Sequence, residues 1–397
     1  MASVARLRLA LLWLAGNDLR LTLLAVPPVL PLIHADLQLD EKGVAALSGA
    51  PLLLLGVAAV PGSLLIARLG PRRALLCGLW LIGISSPLRG VGPSVPMLFG
   101  MTLLMGAGIS LSQPTFPALV RQWFPAAVAR ATGFWSNGLL VGELLAASLT
   151  LPVVLPLVGS WEAVFVFWSI PVVITAVLVG VLTPHEPAPE DLPRPQGMPD
   201  WHNRRMWRIG IFQSAASMIY FGANTFIPDY LHATNQADLV GLALASLNGM
   251  QVPASVVIGV VPMRLLSRKS TSYLVSAAIL VALLVVLLLP GLPLVIAAGV
   301  LGFCAAYVLV MSFALPALLA EPGEVARLSA GVFAISYTTA FLLTLAAGAV
   351  WDASHVEASA FLPALVGAAI VVGLGPALTS AAAGAEPTCA AVPASAS

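Results

Sequence analysis

Apolar runs long enough to cross a bilayer recur almost from the first residue to residue 376, far more than a water-soluble core could bury. A spanning helix needs about 20 such residues. Twelve segments meet that demand: 9–33, 43–67, 74–92, 96–119, 127–150, 161–182, 207–231, 238–263, 271–289, 291–319, 327–349 and 356–376. In hydrocarbon each backbone donor and acceptor must be satisfied inside its own segment, so the runs are expected as α-helices. Charged residues make up only 9% of the chain, against about a quarter in soluble domains. The first run continues through Pro27, Pro28 and Pro31 and carries its own charge, so it is expected to be kept as a span and not cleaved as a leader.

The few charges are distributed unevenly. Arg6, Arg8, Arg68, Arg72, Arg73, Arg121, Arg130, Arg194, Arg204, Arg205, Arg208, Arg264, Arg268, Lys269 and Arg327 fall on one side of a twelve-span arrangement, and Lys42 is nearly alone on the other. The positive-inside rule then puts both termini in the cytoplasm. That rule accounts for the basic clusters, and nothing in them calls for nucleic acid. Cys77, Cys304 and Cys389 have no paired spacing and suggest neither a metal site nor a disulfide framework. The Asp352, His355 and Glu357 group reads as a solvated turn.

Between the sixth and seventh runs, Thr183 to Asn203 is polar and rich in proline and cannot continue a membrane helix. We expect a six-span bundle at 1–182, a linker at 183–206, a second six-span bundle at 207–376 and a disordered tail at 377–397. A short basic turn follows the second span of each half, Gly62 to Arg73 in the first and Pro262 to Lys269 in the second. This is the weak internal symmetry of parallel repeats.

Twelve spans, a central linker and the repeated basic turn together resemble the major facilitator superfamily, although Arg68 stands near where that family's loop carries an acid. Within it, the run Asn17-Asp18-Leu19-Arg20-Leu21-Thr22 ahead of Val26-Pro27-Pro28-Val29-Leu30-Pro31 is similar to the first helix of the cyanate and nitroimidazole transporter group, with Asp18 an addition to the pattern. Leu88-Arg89-Gly90 resembles the end of that group's third helix, and Gln213 through Pro228 its seventh. The resemblance implies an all-α membrane protein of twelve transmembrane helices in two pseudo-symmetric six-helix bundles. It also implies a multi-pass carrier of the bacterial inner membrane for small anions or small nitrogen compounds.

A charge deep in a bilayer is costly and normally faces a polar cavity. Arg20 lies mid-span, too deep to snorkel, and its fork of donors suits a small oxyanion; the other reading pairs it with Asp18 or a helix-end carbonyl. Arg89 is either a substrate contact or an outer-rim residue. Glu143, inside the fifth run, could exchange protons, pair with an arginine or sit at a boundary, and Asp18 is a second proton-coupling candidate. Gln213, Tyr220 and Asn224 share one side of the seventh span, while Asn17, Asn248, Gln251, Tyr307 and Tyr337 add polar atoms to other apolar runs. Such residues could contact substrate or join helix to helix.

The expected activity is alternating-access transport of a small, anionic substrate, with protons as a potential coupling ion, by a lipid-embedded monomer that needs no cofactor. The alternative in the same fold is a proton-coupled drug or metabolite exporter. No nucleophile with a base, phosphate loop or metal-ligand set argues for an enzyme.

Overall fold

The computed structural model describes residues 2–38, 47, 54–92, 94–183, 197–321 and 323–385. Helices form all the regular structure among these residues, with no strand. Nine are long and apolar enough to cross a membrane on their own. Leu54–Leu69 is a shorter apolar helix; the expected start of span two, at 43, lies outside the described residues. Pro71–Leu88 and Arg204–Ala233 complete the set as spans three and seven, their arginines lowering their hydropathy.

Prolines divide several spans. Span one consists of Ala2–Leu24 and Val26–Leu37, interrupted just before Pro27 and Pro28, which lack the N–H groups that Leu23 and Leu24 would need as partners. Span four breaks at Gln113-Pro114 between Val95–Ser112 and Thr115–Trp123, where the Thr115 hydroxyl donates to the Ser112 carbonyl at 2.5 Å. Span five runs Val128–Leu149, then through a π-helical turn at Thr150–Val154 into Leu155–Val158, past its expected end at 150. Span eight divides at Met250 into Val240–Gly249 and Gln251–Val260, because the ring of Pro253 opposes the Gly249 carbonyl.

Spans six, nine, ten and eleven are Trp161–Leu182, Lys269–Leu288, Leu292–Leu319 and Val325–Ser354. Span seven begins at Arg204, inside the expected linker, because the Asn203 side chain caps the Arg205 and Met206 N–H groups. Span twelve, Leu362–Ala385, runs past the expected boundary at 376. Residues 377–385 are therefore helical and not tail, as their alanine-rich sequence favours. Most of the expected linker, 184–196, and the rest of the tail, 386–397, lie outside the described residues.

The packing repeats. Span one lies against five and six, and three against four and six; seven lies against eleven and twelve, and nine against ten and twelve. The halves meet through span five on eight and span two on eleven, a pairing related by the same symmetry. Span six shows the membrane pattern of burial: Val166, Ile170, Ile174, Val177 and Val181 face outward at helical spacing, while Ser169 and Thr175 are buried. The basic residues expected to set topology also cap helices. Arg72 donates to the Gly180 carbonyl and Thr183 hydroxyl at the end of span six, and Arg205 to the Leu319 carbonyl at the end of span ten.

Candidate functional site

Two glycines bring Arg20 to Glu143. A Cβ on Gly138 would collide with the Trp13 carbonyl oxygen, and one on Gly142 with that of Asn17, so spans one and five touch backbone to backbone. The Asn17 amide donates to the Gly138 carbonyl at 3.3 Å across this seam. One turn further, Arg20 (4% exposed) sets its Nε 4.0 Å from Glu143 Oε2 (3% exposed). Arg20 Nε and Glu143 Oε1 have no hydrogen-bond partner among the described residues. Arg20 therefore has an acidic neighbour but not a closed ion pair. Asp18 does not supply that neighbour: it turns toward span six, with the Thr175 hydroxyl beside it, and its Oδ2 has no partner among the described residues.

Arg89 lies inside the N-terminal bundle, fully buried, and not at an outer rim. Its Nη2 donates to the Thr22 carbonyl at 3.0 Å and the Ser86 hydroxyl at 2.7 Å, its Nε donates to the Ser86 carbonyl at 3.2 Å, and its guanidinium lies 4.0 Å from the Phe165 ring centroid. A desolvated cation–π contact of this kind contributes about 2 kcal/mol. The group ties spans three and six to span one just before the latter's proline break.

In the second half, Tyr220, Asn224 and Asn248 come together as one network. The Tyr220 hydroxyl donates to Asn248 Oδ1 at 2.8 Å, and Asn248 Nδ2 donates to Asn224 Oδ1 at 3.2 Å. All three are partly exposed. Gln213 stands apart, two turns earlier and fully buried, its amide oxygen and nitrogen both unpartnered among the described residues. Gln251 is buried at the start of the second segment of span eight. Tyr307 donates to the Leu266 carbonyl at 2.7 Å and so serves the basic turn. Tyr337 accepts a hydrogen bond from Gln113 Nε2 at 3.1 Å, joining span eleven to span four.

That last bond belongs to a seal between the halves. Phe116 stacks on Trp135 at 4.5 Å between ring centroids, and Trp135 on Phe313 of the other half at 5.0 Å. Phe313 meets Phe333 edge-on at 5.5 Å, and Phe333 stacks on Tyr337 at 6.2 Å. Beside it, Trp13 Nε1 donates to Asn137 Oδ1 at 2.9 Å and Asn137 Nδ2 to Ser255 Oγ at 3.0 Å. These contacts lie toward the end that carries the basic loops, where Gly133 of span five also abuts Gly259 of span eight. The halves are thus shut at the basic end. Gln113 and Asn137, polar residues in apolar runs, were legible signals; the aromatic partners had none.

Toward the opposite end, spans seven and eleven border a cavity of about 430 Å³ lined by Phe221, Phe226, Tyr337 and Phe341 among others. Among the described residues, no group of three or more His, Cys, Asp or Glu could hold a metal ion.

The family model described as Major Facilitator Superfamily matches residues 12–247. The chain is 25% identical over 238 residues to the cyanate transport protein of Escherichia coli (strain K12), covering 60% of this chain and 62% of that one. It is also 25% identical over 219 residues to the 2-nitroimidazole transporter of the same strain, covering 54% and 55%. The chain thus spans between half and two thirds of the length of these curated relatives. In fold it is similar to the proton:xylose symporter XylE, with a TM-score of 0.71 over 97% of this chain and 96% of that one at 12% identity.

Proposed function

Because the chain belongs to the major facilitator superfamily, we propose that it is a secondary carrier that moves a small anion or small nitrogen compound, cyanate-like or a small carboxylate. It works by alternating access in the bacterial inner membrane, with both termini in the cytoplasm. The observation that carries this reading is Arg20, a buried mid-span guanidinium whose Nε has no hydrogen-bond partner among the described residues. That donor remains for a ligand. Similarity to cyanate and 2-nitroimidazole transport proteins supports the substrate class.

In this reading Arg20 takes the charge, with Asn17 and Glu143 holding it in place. Tyr220, Asn224 and Asn248 orient the substrate from the other half, and Gln213 and Gln251 supply further polar contacts as the halves rock. Arg89 acts through span one, and Tyr307 through the basic turn. The aromatic stack closes the basic end, with Tyr337 above it. Glu143 and Asp18 are the candidates for proton exchange. A second reading, the proton-coupled exporter, draws on the apolar cavity and requires Glu143 to neutralise Arg20.

Flux into sealed proteoliposomes separates the two. Cyanate, nitrite, acetate and a cationic dye would be tested on wild type and Arg20→Ala, each with and without a pH gradient. Saturable anion flux lost in the variant supports the carrier as proposed. Dye flux without anion flux, indifferent to Arg20, would replace it with the exporter.

A further inference from the structure

The last residues of the linker are fastened to both halves of the molecule. On the N-terminal side, the Ser63 hydroxyl of span two donates to the Gly197 carbonyl. A Cβ on Gly197 would stand 2.8 Å from Leu64 Cα and 3.1 Å from Ala67 Cβ, so the linker backbone lies directly on span two. Only glycine permits that approach. Pro199 follows and is buried. On the C-terminal side, the Asn203 N–H donates to the Asp200 carbonyl at 2.9 Å, the Asn203 side chain caps span seven, and Trp207 Nε1 donates to the Trp201 carbonyl at 2.8 Å. Asp200 and Asn203 also border a polar hollow of about 140 Å³ together with Leu319 of span ten and Arg327 of span eleven.

The two attachments differ in strength. Residues 200–207 are tied into the C-terminal half by a helix cap and several hydrogen bonds, whereas Gly197 is held on span two by one hydroxyl and by close packing. Release at Gly197 strands nothing. The Val60 carbonyl already lies 2.8 Å from the Ser63 hydroxyl and can take its proton, and the Gly197 carbonyl turns to water at the basic end. Only Met198 and Pro199 separate Gly197 from Asp200, about 10 Å of chain at full stretch. A rigid separation of spans two and seven soon exhausts that reach, and the weaker attachment lets go.

We propose that residues 197–203 are a clasp. They hold span two of the N-terminal half to spans seven and ten while the basic end is shut, and Gly197 leaves span two when that end opens. The linker thus takes part in closure and is not only a tether. The clasp presupposes that the halves rock apart at the basic end, as the carrier reading has it, and is independent of what Arg20 binds.

Gly197→Val tests this without altering either bundle. Gly197 is not in the left-handed region, so its backbone accepts valine, but the added side chain cannot dock on Leu64. In a background lacking Cys77, Cys304 and Cys389, the reaction of Ser255→Cys with an impermeant maleimide from the basic side would be followed in four proteins: the parent, Gly197→Val, Met198→Val and Trp135→Ala. Met198 is the control, its side chain being 55% exposed. We expect Gly197→Val to react about fivefold faster than the parent, Met198→Val to react at the parental rate, and both to keep the parental denaturation midpoint in detergent. A parental rate in Gly197→Val, with Trp135→Ala accelerated, overturns the clasp and leaves the rocking of the halves standing. An equal rise in Met198→Val overturns it too, since any disturbance of the linker would then suffice. So does a rise in Gly197→Val that comes with a lowered midpoint, because the contact would then support folding and not one state. A rate that no variant changes, Trp135→Ala included, overturns both the clasp and the rocking it presupposes.

Discussion

The Arg20 guanidinium and the Glu143 carboxylate face each other at 4.0 Å across the seam of spans one and five, near enough to attract and too far to share a hydrogen bond. Opposite charges at this separation attract by about 4 kcal/mol at an effective dielectric of 20. Removing each ion from water costs several kcal/mol, so this one contact leaves both under-satisfied. An incoming anion would offer Arg20 what Glu143 does not.

Neutralising Glu143 separates anchoring from coupling. Glu143→Gln keeps the shape of the side chain and removes its charge. Downhill anion exchange should persist, while accumulation driven by a pH gradient should be lost. Asp18→Asn, altering the face turned toward Thr175, should retain both. Undiminished pH-driven accumulation in Glu143→Gln would take the proton from Glu143.

Backbone contact between spans one and five should be sensitive to a single methyl group. Gly142→Ala drives a Cβ into the Asn17 carbonyl, whereas Gly373→Ala meets open space. Overpacking of this kind costs about 1–3 kcal/mol. In detergent, the thermal denaturation midpoint of Gly142→Ala should fall by several degrees with that of Gly373→Ala unchanged, and transport should fall with it. Equal midpoints would show that the seam can give.

Arg89 and Arg20 should fail differently. Arg89→Met strands the Thr22 carbonyl and Ser86 hydroxyl, and lost charge-assisted bonds cost about 1.5–3 kcal/mol each. The expected result is a lowered denaturation midpoint with the anion KM of the surviving protein within about threefold of wild type, a shift of less than 1 kcal/mol. Loss of anion binding at normal stability would return Arg89 to the substrate path.

How much of this was legible beforehand follows the physics of each signal. Hydrophobic length and basic asymmetry report on single segments, so spans such as Trp161–Leu182 fall where expected. The final helix ran past 376 because polar-flanked alanine reads as tail by hydropathy yet favours helix. Tyr220 and Asn224 were recognisable by their spacing on one helix, and Asn248 joined them from the next. The partner of Arg20 was not readable, since Glu143 is 123 positions away in the chain and the glycines that bring it near resemble any small residues in a membrane helix. The aromatic seal joins four spans and leaves no pattern within any one of them.

Trp135 should control opening at the basic end. It stacks on Phe116 and Phe313 and is fully buried, and removing a core aromatic costs about 3–5 kcal/mol. Even part of that cost, falling on the closed state alone, would shift the balance by tenfold or more at about 1.4 kcal/mol per tenfold. In a background lacking Cys77, Cys304 and Cys389, a cysteine at Ser255 should react with an impermeant maleimide from the basic side about tenfold faster once Trp135 is alanine. Unchanged labelling would mean that the stack does not hold the halves together.

The central claim is that Arg20 holds an anion, and equilibrium binding in detergent tests it without requiring flux. Benzoate and cyanate would be titrated into wild type, Arg20→Gln and Glu143→Gln, each shown to be folded by its denaturation profile. The account predicts that Arg20→Gln weakens binding by about a hundredfold, the loss of a charge-assisted contact worth about 3 kcal/mol, and that Glu143→Gln binds at least as tightly as wild type. Anion binding of wild-type strength in Arg20→Gln would contradict it.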